Sequence, residues 1–568
     1  MRDGVIAREV GWEEAIGCAA GKLHSASPGR VGIIASPTSP LESLYLLGKL
    51  ARGVLATSNL DFPGRTAAVP AQFLLSGHRE LACRLEDLTN SDTILAFGLH
   101  DGDRAPQIVP QIWRALTRGA SLIAVDDWSG DLASEAEVRL HPYPHTDRTW
   151  LAAVGTSLDQ AFQPARSLPE AAVACGLDQQ QLGRASQLLR RSRRLAVVFD
   201  PASPTRLADA ASMLVLRRLL TTMRSGKEWI GLLPLYERTN TLGALDLGVA
   251  PDRLPGGWPV GDPSATAALA EAWGTAPPAS AGLSLEEMIH AAESGVIQAL
   301  LVFGDLDSWG GMSRDAIHRA LGRLDFLAVS SSFPTVLTSQ AHLIVPRPLP
   351  GEVDGTYTNT EGWVQATHGV VPFRGYQEWK LVTEVARQMG ARWDLEDIAA
   401  VRREMARFVP GYAGIASPEA GFRRPPAGPT LPDPGVLPLE RALPAGDAEH
   451  PLLLSVARAY LPYRFDTDLL HSTLMKREQA LHPAAPHLWM NPADARERVL
   501  RDGARGRLRS RRGTCTLRVM PHPEVPQGRV ILPEIHQSAA IEALANTDTD
   551  PMTGLPLAPC AFVEIEPA

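Results

Sequence analysis

Groups able to carry a proton, hold a metal or attack a substrate are scattered along this chain. The five cysteines, Cys18, Cys83, Cys175, Cys515 and Cys560, lie far apart. None makes the CxxC-type spacing of a local zinc site or iron–sulfur cluster, and their density argues against a disulfide framework. Cys515 and Cys560 read as small buried hydrophobes. His141 and His145 have the i, i+4 spacing that would suit a metal on a helix, but Pro142 and Pro144 exclude the helix. The run Arg190-Arg191-Ser192-Arg193-Arg194 could bind phosphate or an acidic partner; a solvated helix C-terminus is the commoner explanation. Ser510, between Arg509 and Arg511, has no His–Asp pattern around it and predicts no acyl transfer. Asn240 and Asp246 could orient a ligand, and Asn and Asp equally cap turns. The stretch 355–365 reads first as a turn and helix start that the fold needs.

The elements that must position such groups follow an alternating pattern. Strand-like runs at 31–35, 93–97, 121–125, 194–199, 299–303, 326–329 and 342–345 are interleaved with helical stretches such as 41–55 and 105–118, which predicts parallel β-α-β units. Residues 417–451 are rich in Pro, Gly and Ala and read as a linker. Short strands at 452–457, 506–510, 514–520 and 529–532, with a helix opening at 492–495, predict a compact β-rich C-terminal domain.

The chain has 568 residues, with 55 Lys+Arg against 63 Asp+Glu, a net charge of −8. That balance argues against nucleic acid or an anionic membrane as the principal partner. With 45% hydrophobic and 21% charged residues, disorder is excluded as the main state. Neither a signal pattern nor a spanning apolar run is seen, so the expectation is a cytoplasmic protein, at most peripheral to the inner face of a membrane through partner subunits.

Three stretches carry a resemblance. Gly351-Glu352-Val353-Asp354-Gly355-Thr356-Tyr357-Thr358-Asn359-Thr360-Glu361-Gly362-Trp363-Val364-Gln365 resembles the "E…GTxTNxEGRxQ" signature of the molybdopterin oxidoreductase superfamily. Asn240-Thr241-Leu242-Gly243-Ala244-Leu245-Asp246-Leu247-Gly248 with Pro251-Asp252-Arg253-Leu254-Pro255-Gly256 resembles the "NxxGAxDMGxxPxxLPG" segment of formate dehydrogenases. Met490-Asn491-Pro492-Ala493-Asp494-Ala495, continuing to His536, is similar to the molybdopterin-dinucleotide-binding domain. The opening, Ser36-Pro37-Thr38-Ser39-Pro40-Leu41-Glu42-Ser43, is similar to the large iron–sulfur subunit of NADH:quinone oxidoreductase, complex I. The resemblance implies an α/β fold with two Rossmann-like domains, one discontinuous, plus a C-terminal β-barrel-like molybdopterin-dinucleotide-binding-type domain. The expected boundaries are 1–130 with 330–430, 131–329, a linker at 431–444 and a last domain at 445–568. The N-terminal iron–sulfur module of the family is expected to be lacking, and with it any cluster in this chain.

The same resemblance implies pterin-facing or vestigial positions at Asn240, Gly243, Asp246, Gly304, Gly355, Thr356, Asn359, Glu361, Gln365, Asn491, Asp494 and His536. It also shows substitutions. The "Arg-x-Cys-His" ligand segment falls on Arg65-Thr66-Ala67-Ala68, and alanine can neither ligate a metal nor transfer a proton. "GxN" reads Gly98-Leu99-His100, "DPR" reads Asp126-Asp127-Trp128, and "PGTD" reads Pro144-His145-Thr146-Asp147, with a Cβ where the turn needs φ > 0. "GENP" reads Gly304-Asp305-Leu306-Asp307, and "QDxFxTET" reads 330–337 without its acids. The expectation is therefore a scaffold subunit of an NADH:quinone oxidoreductase-type complex, with no catalytic residue, metal or cofactor of its own and with iron–sulfur and flavin subunits as partners. The alternative is an active molybdenum or tungsten oxidoreductase like a formate dehydrogenase catalytic subunit, holding molybdopterin guanine dinucleotide. In that case Asn240, Asn359, Glu361 and His536 would touch pterin.

Overall fold

The computed structural model describes residues 1–3, 6–75, 78–99, 106–159, 162, 165–201, 203, 205–236, 238–304, 314–424, 446–457, 487–533, 543–545, 550, 557 and 559–568. The chain forms two units. One comprises the described residues of 1–65 and 237–424; the other comprises the described residues of 66–236 and 446–568.

The first unit is built on a five-stranded sheet in the order Leu343–Pro346, Phe326–Ser331, Ala299–Phe303, Val31–Ile34, Leu60–Asp61, every neighbouring pair parallel. The central strands are continuous apolar runs, buried along their whole length, as a parallel sheet covered on both faces requires. Met288, Ile289 and Leu285 of the helix Leu285–Glu293 pack on Leu300 and Val302. That helix starts in a capping box, Ser284 with Glu287, which satisfies backbone N–H groups left free at its first turn. The helix Leu41–Lys49 is buried at all nine positions, so its charged residues need internal partners. Lys49 finds Glu404 at 2.7 Å. The expected helix 41–55 opens into a π-helical turn at Leu50–Val54, where the buried Arg52 donates to the carbonyls of Ala250 and Arg253. A three-stranded antiparallel sheet, Gly355–Thr358, Trp363–Thr367 and Phe422–Arg423, completes the unit. The stretch expected as a turn and helix start is thus a β-hairpin, with Thr358 opposite Val364 and Thr356 opposite Ala366.

The second unit has another parallel sheet, in the order Val138–Leu140, Ser121–Val125, Thr93–Phe97, Arg194–Phe199, Trp229–Pro234. It also has a closed six-stranded barrel: Leu452–Ala457, Arg529–Pro533, His487–Met490, Thr514–Pro521, Arg505–Ser510 and Cys560–Pro567, the last pairing back on the first. The α/β class, the parallel sheets and the terminal barrel are as expected. The sheet membership is not. Thr93–Phe97 pairs with Arg194–Phe199, and Ala299–Phe303 pairs with Val31–Ile34. The chain therefore changes sheet near 65 and 237, not at 130 and 330. Each of these strands is an apolar run with the same local pattern, and which run it pairs with is decided by long-range packing. The expected linker at 431–444 lies outside the described residues. Among the described residues no helix is long and apolar enough to cross a membrane.

Candidate functional site

In an open parallel sheet a ligand crevice forms beyond the carboxyl ends of the strands, where the strand order reverses. In the first unit that point lies between Val31–Ile34 and Ala299–Phe303. Gly304, which ends the second of these strands, has φ +88°, and a Cβ there would stand 2.9 Å from Ser36 Oγ. The loop after the first strand is held by stretches far away in sequence. Asn240 is fully buried; its Nδ2 donates to Ser39 O at 2.8 Å and its Oδ1 accepts from Thr358 N at 2.9 Å. Glu42, also fully buried, accepts from Thr356 N and Thr356 Oγ1 at 3.0 Å each and from Arg402 Nε at 2.6 Å. The three motifs of this unit, 36–43, 240–248 and 355–365, thus bond chiefly to one another.

Gly243 belongs to this lock. A Cβ on it would lie 2.2 Å from Asn240 Oδ1 and 2.3 Å from Leu41 Cδ2. Gly243→Ala should therefore cost about 1–3 kcal/mol by overpacking. Gly183→Ala, in open space within the helix Gln179–Arg191, should instead stabilise by up to about 1 kcal/mol. Urea denaturation of the two variants checks the opposite signs.

Asp246 sits 2.6 Å from Arg424 Nε and accepts from Tyr412 Oη at 2.9 Å; Tyr412 Oη in turn lies 2.6 Å from Thr358 Oγ1. Burial pushes its carboxyl up to about 6, although Arg424 and Tyr412 oppose the rise. The folded state therefore holds this proton more tightly than the unfolded state. Its ionisation removes stability as pH rises through 4 to 6, by up to about 3 kcal/mol for a shift of this size. Unfolding free energy of the wild type minus that of Asp246→Asn should fall between pH 4 and pH 7; a flat difference would contradict the assignment.

Beside the lock lies a cavity of about 280 Å³, lined by Thr38, Ser43, Arg347, Tyr357, Asn359, Gln365, Glu378 and Trp379 among others. Its charged wall is the buried pair Arg347 Nε–Glu378 Oε1 at 2.8 Å. The Arg347 guanidinium also donates to Thr38 Oγ1 at 2.9 Å and Ser39 Oγ at 3.3 Å. Burial raises the Tyr357 hydroxyl well above its ordinary range, so it remains a neutral donor and acceptor. The cavity can orient a small polar ligand through paired hydrogen bonds.

The corresponding strand ends of the second unit are filled by the chain itself. Gly98 has φ +69°, and a Cβ there would lie 2.8 Å from that of Ser203. His145 adopts φ +60°, the left-handed turn that the "PGTD" comparison implies, at a cost of about 1–2 kcal/mol for a residue with a Cβ. The carboxylate that follows, Asp147, is fully buried. It accepts from Arg206 Nη1 at 3.1 Å, Trp150 Nε1 at 3.1 Å and Leu207 N at 2.7 Å. Arg206 Nη2 reaches Asp127 Oδ1 at 3.3 Å, and Thr205 Oγ1 donates to the same carboxylate. Trp128, where "DPR" has its arginine, packs on Trp489 and His522 of the barrel, with ring centroids 5.2 Å apart in each case. His141 is half-buried, with its ring nitrogens against Asp126 O and Ser129 Oγ, and desolvation lowers it to about 4.

Of the residues singled out in the sequence, Asn359 and Gln365 line the cavity. Asn240, Gly243, Asp246, Gly355 and Thr356 build the lock; a Cβ on Gly355 would meet Pro40 at 2.5 Å. Asn359 also accepts from Glu361 N and Trp363 N through Oδ1, which closes the hairpin turn, and Glu361 O accepts from Arg423 Nε. In the barrel Asn491 caps a helix through Ala493 N and donates to Val525 O, and Asp494 accepts from Gly528 N. His536 lies outside the described residues. Sequence reasoning missed Arg206, Arg347, Glu378 and Arg402, and quoted Glu42 within a motif without giving it a role. The available signal was weak: Arg347 is a charge placed directly after a strand.

Two parallel sheets, the first with a strand-end crevice, and a closed six-stranded barrel define an α/β protein with a terminal β-barrel. Residues 202–388 match the family model Molybdopterin oxidoreductase, and residues 461–559 match Molydopterin dinucleotide binding domain. The chain belongs to the molybdopterin oxidoreductase superfamily. The F420-dependent formate dehydrogenase 1 subunit alpha of Methanococcus maripaludis is 26% identical over 600 residues, covering 96% of this chain and 87% of the relative. Its counterpart from Methanocaldococcus jannaschii is 25% identical, with 98% and 89% covered. Probable oxidoreductase YjgC of Bacillus subtilis is 28% identical over 446 residues, but the match spans 73% of this chain and only 45% of that protein. Acetylene hydratase from Pelobacter acetylenicus has the same fold, with a TM-score of 0.69 at 13% identity over 99% of this chain and 90% of the other.

The family implies a metal on a pterin. Arg65 spends its guanidinium on Asp61, at 2.6 and 3.1 Å, and Ala67 and Ala68 carry no donor atom. Among the described residues no three His, Cys, Asp or Glu side chains converge as metal ligands. The segment 65–68 therefore does not fit a metal ligated by a side chain.

Proposed function

We propose that this chain is the pterin-fold subunit of a formate dehydrogenase-like oxidoreductase. The correspondence with formate dehydrogenase alpha subunits over almost the whole of both chains carries this reading. The redox chemistry of such an enzyme belongs to its metal–pterin group. This chain's own part is the frame: the interlocked motifs, the glycine turns at the strand ends, and the polar wall of Arg347, Tyr357, Asn359, Gln365 and Glu378. This sequence has no cluster-type cysteine spacing, so any iron–sulfur relay would have to be supplied by residues outside it.

Ala67, Ala68 and the sealing of Asp127 and Asp147 by Arg206 favour a second reading, a scaffold subunit of an NADH:quinone oxidoreductase-type complex. Metal and pterin analysis of the purified chain, with a formate-dependent dye reduction assay, separates the two. Stoichiometric molybdenum or tungsten with a guanine dinucleotide, and dye reduction on adding formate, are expected for the first. A chain free of metal and pterin, from a host that loads other pterin enzymes, rejects it and leaves the scaffold.

A further inference from the structure

The barrel carries a charge pattern that its fold does not call for. Along Arg505–Ser510, arginines at 505, 507 and 509 are exposed, while Gly506, Leu508 and Ser510 are buried. The neighbouring strand Thr514–Pro521 places Arg518 directly opposite Arg505, with Thr516 opposite Arg507 and Thr514 opposite Arg509. Arg511 and Arg512 extend the exposed row at the connecting turn. Like charges directly opposite one another across an antiparallel pair destabilise it. Arg507 is relieved by Glu566 at 3.4 Å and Arg511 by Asp447 at 2.6 Å. Arg505, Arg509, Arg512 and Arg518 make no ion pair among the described residues. Charge of this kind protects edge strands from aggregation, but Arg505–Ser510 is paired on both sides within a closed barrel. It does not serve solubility through net charge either, because in a chain of −8 added cations bring the total nearer zero.

We infer that this arginine face is a docking surface for an acidic protein. The opposite neighbour strand sets Glu566 against Arg507 and Glu564 against Arg509. Glu566 is held by Arg507 and Glu564 by Arg498 Nε at 2.9 Å, so the carboxylates of an acidic partner fall to Arg505, Arg509, Arg512 and Arg518. The evenly repeated charge of a phosphodiester backbone would run over the two carboxylates that interrupt the arginine row, whereas a protein can place its carboxylates only at the arginines. Thr514 and Thr516 are short and carry no charge opposite Arg509 and Arg507. A strip this narrow suits a weak, electrostatically steered contact, not an obligate interface.

The test is fluorescence anisotropy on the full chain. The probes are a labelled Glu-rich peptide with interspersed lysines and an oligo-dT of equal net charge. The peptide should bind at low salt, more tightly than the oligo-dT, and binding should weaken by roughly tenfold in Arg505→Thr/Arg518→Thr. The same double variant should melt at or above the wild-type temperature, because it removes a like-charge pair. Absence of peptide binding, equal binding of oligo-dT, binding untouched by the double substitution, or a lower melting temperature would each overturn the proposal.

Discussion

Arg206→Met is expected to destabilise the sheet-and-barrel unit by about 3–5 kcal/mol, the usual cost of removing one partner from a buried ion cluster. Arg206 is wholly inaccessible and stands between two buried carboxylates, Asp127 and Asp147. Burial alone would weaken its hold on the proton, yet the neighbouring carboxylates keep its pKa above the ordinary value. Methionine fills a similar volume but leaves Asp127 and Asp147 without a counter-charge. Asp147 retains Trp150 Nε1 and Leu207 N, so part of its hydrogen bonding survives. Adding Asp127→Asn and Asp147→Asn to Arg206→Met should recover much of the loss, since neutral amides no longer need the cation. Chemical denaturation followed by the fluorescence of Trp128, Trp150 and Trp489 reads this unit. An unchanged denaturation midpoint in the single variant would show that the cluster contributes nothing.

Glu42→Ala should have an effect of similar size in the other unit. The carboxylate accepts from the backbone and hydroxyl of Thr356 and from Arg402, and no part of it reaches solvent. Truncation strands a buried guanidinium and a buried N–H, for about 3–5 kcal/mol. Glu42→Gln should lose less, because its carbonyl oxygen still accepts while its amide group meets one of the donors. Pulse proteolysis of the full chain would compare the variants, with release of the hairpin Gly355–Thr358 to Trp363–Thr367 as the expected first event. Equal resistance of wild type and Glu42→Ala would refute the lock.

The two lesions would also separate roles. A motif residue that only reads a ligand can be truncated without lowering the stability of the empty chain. Glu42, Asn240 and Thr356 are expected to lower it, whereas Gln365, exposed at the cavity, is expected to leave it unchanged.

Much of the fold was legible in the sequence. Thr93–Phe97, Ser121–Val125, Arg194–Phe199 and Ala299–Phe303 announce themselves as apolar runs between turn residues, and Gly98 and Gly304 mark two strand ends where the backbone turns left-handed. The left-handed turn at His145 was legible too, from the glycine expected at that place. The motif residues were legible as special, but their partners were not. Glu42 meets Thr356 across 314 residues and Arg402 across 360. Arg206 stands 59 residues from Asp147 and 79 from Asp127.

By itself, then, the sequence determined most of the element types, though not the hairpin at 355–367, together with the β-rich ending, the superfamily and the alanines at 67 and 68, because each of these follows from local pattern or residue identity. Tertiary structure alone decided which strands share a sheet, that the motifs bond to one another, and that Arg206 closes over Asp127 and Asp147. The physical reason is that a buried charge or amide reveals its role only through the donor or acceptor brought to it. In this chain those partners arrive from tens to hundreds of residues away.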